Sequence, residues 1–503
     1  MIIQIARSLL LAACAASAIP AQPLPNPIPI PQQSNARPVP AFLGAPATAH
    51  PITAPAIPQN PYMSANPWNN IHDDTYMSDT YPVTVAGPLG HSPKVLSTFL
   101  GSATVPAAPV VVIVFDGGRL IAASIATSPA SGTAQVSLVL IDPNTLATIS
   151  RLALPAETAT FKGKFRPAGA YFYLDQSGRI LVGTAERTVW VVSHTATSFS
   201  HDNTYDLTSV IPEGDSIQAL QPDFSGHIFF TSKGGIVGTL HSTTGAILGF
   251  IQLTGEKIDN SSASDETGGV FIASNQAMYR FDADSAGKPV VTWREPYDAG
   301  KHMKSGQVDI GTGTTPTLMG SDYVTIVDNA EPNMHVLVYR RAQVIAGDRL
   351  FCSVPVFQAG ANSTENSLVA TDSSIVVENN FGYKSVKSTE HGKTTKTGLT
   401  RIDLDTQGCH TVWTNTEESI PTLVTKLSLA SGLIYTYTKP KGPANTDAWY
   451  FTAIDFATGQ TVYKQLAGTG TLFNNHYAGI FLGPNGSLYT GVLGGIVSMT
   501  DTQ

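Results

Sequence analysis

The stretch SGRILVGT (177–184) is a turn of Ser and Gly followed by a short apolar run that ends in small residues. The same phrase returns as GGRLIAAS (117–124), SGHIFFTS (225–232), TGGVFIAS (267–274), SDYVTIVD (321–328), DSSIVVEN (372–379), SGLIYTYT (431–438) and NGSLYTGV (485–492). The starts lie roughly 40–60 residues apart, the period at which four-stranded blades repeat in a propeller. Each phrase is followed by a further strand and usually a third, as in MYRFDADSAGKPVVTWRE (278–295) and YFTAIDFATGQTVYKQL (450–466). There, alternating apolar positions lead to an Asp–turn–Gly and then to a strand ending near Trp or Tyr. The chain therefore reads as an all-β propeller of four-stranded blades. Eight phrases predict eight blades. Seven stand as the alternative, because unit boundaries blur in a single sequence.

IDFATGQTVYK (454–464) and LYTGVLGGIVSMTD (488–501) resemble the aspartate–turn–glycine–tryptophan phrase of the quinoprotein-like β-propeller superfamily. The resemblance covers roughly 110–503 as a structural repeat and implies the blade fold. Quinone-dependent dehydrogenases of that superfamily typically have a vicinal Cys–Cys pair, and this chain has none. No quinone cofactor is carried over, and no cofactor or metal is expected. The last unit stops just after its third strand, so PKVLSTFL (93–100) is expected to close the ring as its outer strand.

Among 503 residues, 13% are charged and 42% hydrophobic, with 44 Gly and 34 Pro, the profile of a turn-rich β protein with a sizeable core. A net charge of −8 gives no basic footprint for nucleic acid or anionic membranes. Arg7, the apolar run 8–18 and small residues at Ala16 and Ala18 read as a cleaved leader over 1–18, with Ala21 as a second end. Leu11-Ala12-Ala13-Cys14 supports the rival reading of a lipoprotein anchored at Cys14. No later stretch is long enough for a membrane helix, so an exported, soluble monomer is expected. Cys352 and Cys409 fall in consecutive repeats and form either a disulfide or two separate buried thiols. Asn260, Asn362 and Asn485 begin glycosylation sequons.

The Pro-rich tract 19–67 reads as an exposed spacer. A single propeller domain then spans 68–503, and its aromatic, polar segment 68–92 is expected to lie across the surface.

In a propeller, loops entering the innermost strands and loops leaving the second strands share one face around the channel, where ligand sites gather. The longest such loops here belong to units five to seven: 300–315, 328–335, 360–367, 379–398, 438–449 and 468–479. His476 and Glu365 are the acid–base candidates, with His72 and Asp73 from the IHDD cluster (71–74). Asn366, Asn475, His302, Lys304, Asp328 and Glu331 are the candidate substrate contacts, with Asp309 and His335 on the same loops. No nucleophile elbow, zincin motif, phosphate loop or dinucleotide fingerprint occurs. Two functions follow. One is an enzyme using His and carboxylate groups for hydrolysis, elimination or isomerisation of a small molecule or glycan. The other is a non-catalytic propeller that binds a glycan or protein. Convergence of His476, Glu365 and the 71–74 cluster separates the two.

Overall fold

The computed structural model describes residues 26–502 except 103–104, 106, 129–131, 159–167, 170 and 444. The leader and Cys14 lie outside the described residues. Eight antiparallel sheets, each with four blade strands, follow one another along the chain. Their innermost strands, from blade one to blade eight, are Val110–Asp116, Tyr173–Leu174, Ile217–Pro222, Ala263–Ser264, Thr317–Met319, Val369–Ala370, Lys426–Ser428 and Ile480–Leu482.

The repeated phrase is the second strand of each blade. Ile180–Gly183, Val270–Ala273 and Leu433–Thr438 are buried along their whole length. Neighbouring blades cover both faces of these strands, so they read as continuous apolar runs rather than alternations. Outer strands such as Ile247–Gln252 are partly exposed. The turn before the phrase has its own chemistry. The Asp223 carboxylate accepts the backbone N–H groups of Ser225 and His227, both at 2.8 Å. Asp175 and Asp265 cap the corresponding turns of blades two and four in the same way. Gly226 takes φ 93°, a conformation that a side chain would strain.

The ring closes as the repeat arithmetic requires. Pro93–Phe99 pairs antiparallel with Gly495–Asp501, from Pro93 opposite Asp501 to Phe99 opposite Gly495, and becomes the outer strand of blade eight. The Asp501 carboxylate also accepts the N–H groups of Leu89 and Gly90. Cys352 and Cys409 form a disulfide between the outer strands of blades five and six, with Cα atoms 6.0 Å apart.

Of the segment expected to lie across the surface, residues 69–81 are instead buried in the channel, while 82–92 run out to a partly exposed course. Ile71, His72, Asp73, Tyr76, Asp79 and Tyr81 are all buried. The inner strands are short, and their channel-facing amides need acceptors. The segment supplies them in turn. The carbonyls of Thr75, Tyr76, Ser78 and Asp79 accept the N–H groups of Ser264, Leu318, Ala370 and Leu427, each at 2.9 Å, from blades four to seven. Thr80–Tyr81 then runs parallel to Lys426–Ser428 as a further inner strand of blade seven. The Pro-rich tract is also bound rather than free. Phe42–Gly44 pairs with the outer strand Thr461–Thr469 of blade seven, and Ile30 and Ala47 are buried against the core. Proline lacks an N–H and suits an added edge of this kind.

Candidate functional site

Two assemblies are built by the residues that the sequence singled out, one inside the channel and one on the loop-rich face. Inside, Lys426 projects from the first position of its inner strand and is fully enclosed. Its Nζ lies 2.5 Å from Asp79 Oδ1, 2.6 Å from the Ile71 carbonyl and 3.0 Å from Asp73 Oδ2. His72 Nδ1 is 3.0 Å from both Asp79 oxygens, and its Nε2 is 3.3 Å from Thr315 Oγ1 and 3.4 Å from Ser367 Oγ. Burial pushes the Asp73 carboxyl up to about 8, outweighing the Lys426 charge. Neither Asp73 oxygen makes an aligned hydrogen bond, and the Tyr81 hydroxyl lacks one as well. Lys426 thus makes ionic contacts to both Asp79 and Asp73. Burial opposes the Lys426 charge, but its carboxylate neighbours hold it above the usual lysine range.

Glu378 closes this cluster from blade six. It accepts from Asn366 Nδ2 at 2.6 Å, Thr425 Oγ1 at 2.6 Å and Asn380 Nδ2 at 3.0 Å, and burial raises it to about 7. His72 and Asp73 are 2% and 1% exposed, so they hold the channel segment in place and are sealed from a ligand. Asn366 is likewise spent on Glu378.

On the loop-rich face, a cleft of about 890 Å³ lies over blades five and six. Its lining includes Lys301, His302, Met303 and Lys304 from the loop entering blade five, and Glu331 and Pro332 from the next turn. Asn362, Phe381, Tyr383 and Lys384 complete it from blade six. The loop entering blade five is pressed onto blade six at Gly306, where a Cβ would stand 2.6 Å from the Asn380 carbonyl. His302 Nε2 pairs with Glu331 Oε1 at 3.0 Å near the solvent. Lys304 Nζ donates to the Ala330 carbonyl at 2.6 Å and to Asn362 Oδ1 at 3.2 Å. Asp328 stands behind the cleft, accepting the His335 N–H at 2.6 Å and pairing with its ring at 2.9 Å.

The remaining acid–base candidates sit apart from one another. His476 Nδ1 faces the Tyr383 hydroxyl at 2.9 Å, and burial keeps its pKa below the usual histidine value. Asn475 is buried and accepts from Thr422 Oγ1 at 3.2 Å. Glu365 Oε2 accepts the Val308 N–H at 3.0 Å, in an environment that drives its carboxyl well above the normal range through burial. Asp309 pairs with Lys257 at 3.8 Å. Among the described residues, no hydrogen bond joins His476, Glu365 and the 71–74 cluster.

Two of the three sequons are internal. Asn260 is buried and donates to the Thr312 carbonyl. Asn362 is buried too, donating to the Pro332 and Gln358 carbonyls. A glycan on either would break these bonds, which corrects the expectation of three sites. Asn485 alone of the three is exposed, at a turn of blade eight.

Lys426, Asp79, Glu378 and Tyr383 were not singled out in the sequence. Glu378 left a trace, since DSSIVVEN carries a charge where the other phrases place small, apolar or aromatic residues. Lys426, inside the apolar run LVTKLSL (423–429), left a similar one.

No family model matches the chain. A protein of Archaeoglobus fulgidus described as uncharacterized is 26% identical over 323 residues, covering 58% of this chain and 62% of its own length. This chain thus spans less than two thirds of that relative. Among solved structures, the β-propeller domain of Myceliophteria thermophila Cps50 (Swd1) aligns with a TM-score of 0.40 at 9% identity, over 65% of this chain and 94% of that one. The blade count, pairing and closure described above make this chain an eight-bladed β-propeller.

Proposed function

We propose that this protein is an exported, quinoprotein-like propeller that binds a small polar ligand or glycan, without turning it over, in the cleft at blades five and six. One observation carries the reading. The groups that acid–base chemistry would require are separated and engaged with the protein, whereas the cleft offers space and the solvent-facing ammonium groups of Lys301 and Lys384. Its volume falls within the usual range for small-molecule sites, and Phe381 and Met303 give it an apolar side. Export rests on the leader-like start and on the disulfide, which suits an oxidising compartment.

The test is a saturation-transfer NMR screen of neutral and charged saccharides, followed by calorimetry on those that bind. Binding is expected to be lost in Phe381→Ala, with no product formed from any bound saccharide. A turnover abolished by His476→Ala or Glu365→Gln would overturn this reading in favour of the acid–base enzyme.

A further inference from the structure

Lys304 lines the cleft and is only 7% exposed. An ammonium carries three donors. Two of them are spent on uncharged acceptors, the Ala330 carbonyl and the Asn362 side chain. Among the described residues, no carboxylate is ion-paired with it.

Other buried cations of this protein are treated differently. Lys426 meets Asp79 and Asp73, Lys439 meets Asp447 at 3.1 Å, and Arg280 and Arg341 meet Asp282, Asp265 and Glu266. Of the acids near Lys304, Asp328 is committed to His335 and Glu331 to His302, while Asp298, also in the cleft lining, accepts the Gly300 N–H at 2.9 Å and makes no ion pair with Lys304. An unpaired buried charge is costly, so such a site favours a ligand that brings the counter-ion. Burial draws the ammonium below its ordinary range, as an unpaired lysine should respond. Lys301 and Lys384 add positive charge to the cleft lining beside the carboxylates of Asp298 and Glu331, while Phe381, Met303 and Pro332 offer an apolar wall. That combination matches a sugar ring bearing a carboxylate better than a neutral sugar or a bare anion.

We propose that Lys304 is the anion-recognition residue of the cleft and that its ligand is an acidic saccharide. The sugar carboxylate completes the lysine's ion pair, and the ring lies against Phe381. This rests on the binding reading given above.

The experiment is calorimetry of the intact protein with trisaccharides of galacturonate, glucuronate and guluronate, each as the free acid and as the methyl ester. A buried, hydrogen-bonded charge pair is worth at least about 2 kcal/mol, or roughly 30-fold in affinity. At least one acid should bind about 30-fold more tightly than its ester. Lys304→Met should remove that difference. The acid–ester comparison on the unaltered protein needs no variant, so it decides the matter even if Lys304→Met folds poorly. Equal affinity for acid and ester would overturn the role of Lys304 while leaving cleft binding in place. Binding of no saccharide, neutral or acidic, would overturn the binding reading itself. Displacement of the acid by an equal concentration of inorganic phosphate would overturn the saccharide assignment.

Discussion

Replacing Lys426 by Met tests whether the channel segment is held by a buried charge cluster or by packing alone. Methionine keeps an unbranched, flexible side chain of similar reach, so the change removes charge and hydrogen bonds more than volume. In the native protein, Nζ satisfies Asp79, the Ile71 carbonyl and Asp73 at 2.5, 2.6 and 3.0 Å. Without it, the Asp79 carboxylate keeps only the His72 ring, in a site with no water access. Removing one partner of a buried ion pair costs about 3–5 kcal/mol. Unfolding entropy near 60 °C is about 2.1 cal/mol/K per residue, so a chain of 503 residues gives roughly 1 kcal/mol/K. The melting temperature should therefore fall by about 3–5 °C in differential scanning calorimetry. Asp79→Asn alone should cost a comparable amount, and the double variant should cost less than the sum by about 1–3 kcal/mol. A shift of less than 1 °C for Lys426→Met, or strict additivity in the cycle, would refute the reasoning.

Further predictions follow from pH, the disulfide and ring closure. Burial raises Asp73 to about 8, and Asp74 and Glu378 to about 7, well above the ordinary carboxylate range. Raised folded values mean that this contribution is full below about pH 4 and is lost as pH climbs through 7–8. The melting temperature should thus decline from pH 6 to 9, with Asp73→Asn flattening the slope; a flat wild-type profile would contradict this. Cys352→Ser opens a link between residues 57 apart in sequence, which the chain-entropy model values at about 4 kcal/mol. Two titratable thiols in the denatured, unreduced protein would show that the bridge is absent. Deleting residues 93–99 strips the outer strand from Gly495–Asp501 and should abolish cooperative unfolding of the ring. An unchanged melting temperature and a monomeric state would disprove closure by that strand.

The blade architecture was legible in the chain because second strands are local objects. Each follows a tight polar turn, written Asp-x-Ser/Thr-Gly in blades two to four, and carries its burial in a largely apolar run, and both repeat at the blade period. The closing strand was legible for a related reason, since an antiparallel ring with a three-stranded last unit requires a partner for its open edge. The crowded face over blades five to seven followed from loop lengths and topology alone.

Only the tertiary structure decided what fills the channel. The stretch 75–79 lacks periodicity because the carbonyls of Thr75, Tyr76, Ser78 and Asp79 answer blades four, five, six and seven in turn, so no local pattern marks it as buried. Composition alone made it resemble a surface strap. The pairing of Lys426 with Asp79, 347 positions apart, depends on that threading and is invisible to spacing. The candidate site was divided in the same way. Loop position pointed to His302, Lys304 and Glu331 in the cleft, whereas His72, Asp73 and Asn366 were drawn into the buried cluster by partners distant in sequence. Local sequence determines strands and turns through short-range hydrogen bonds and burial periodicity. Which polar groups stay open to a ligand is settled by long-range packing, which gives Lys426 its carboxylates and leaves Lys304, among the described residues, with uncharged acceptors only.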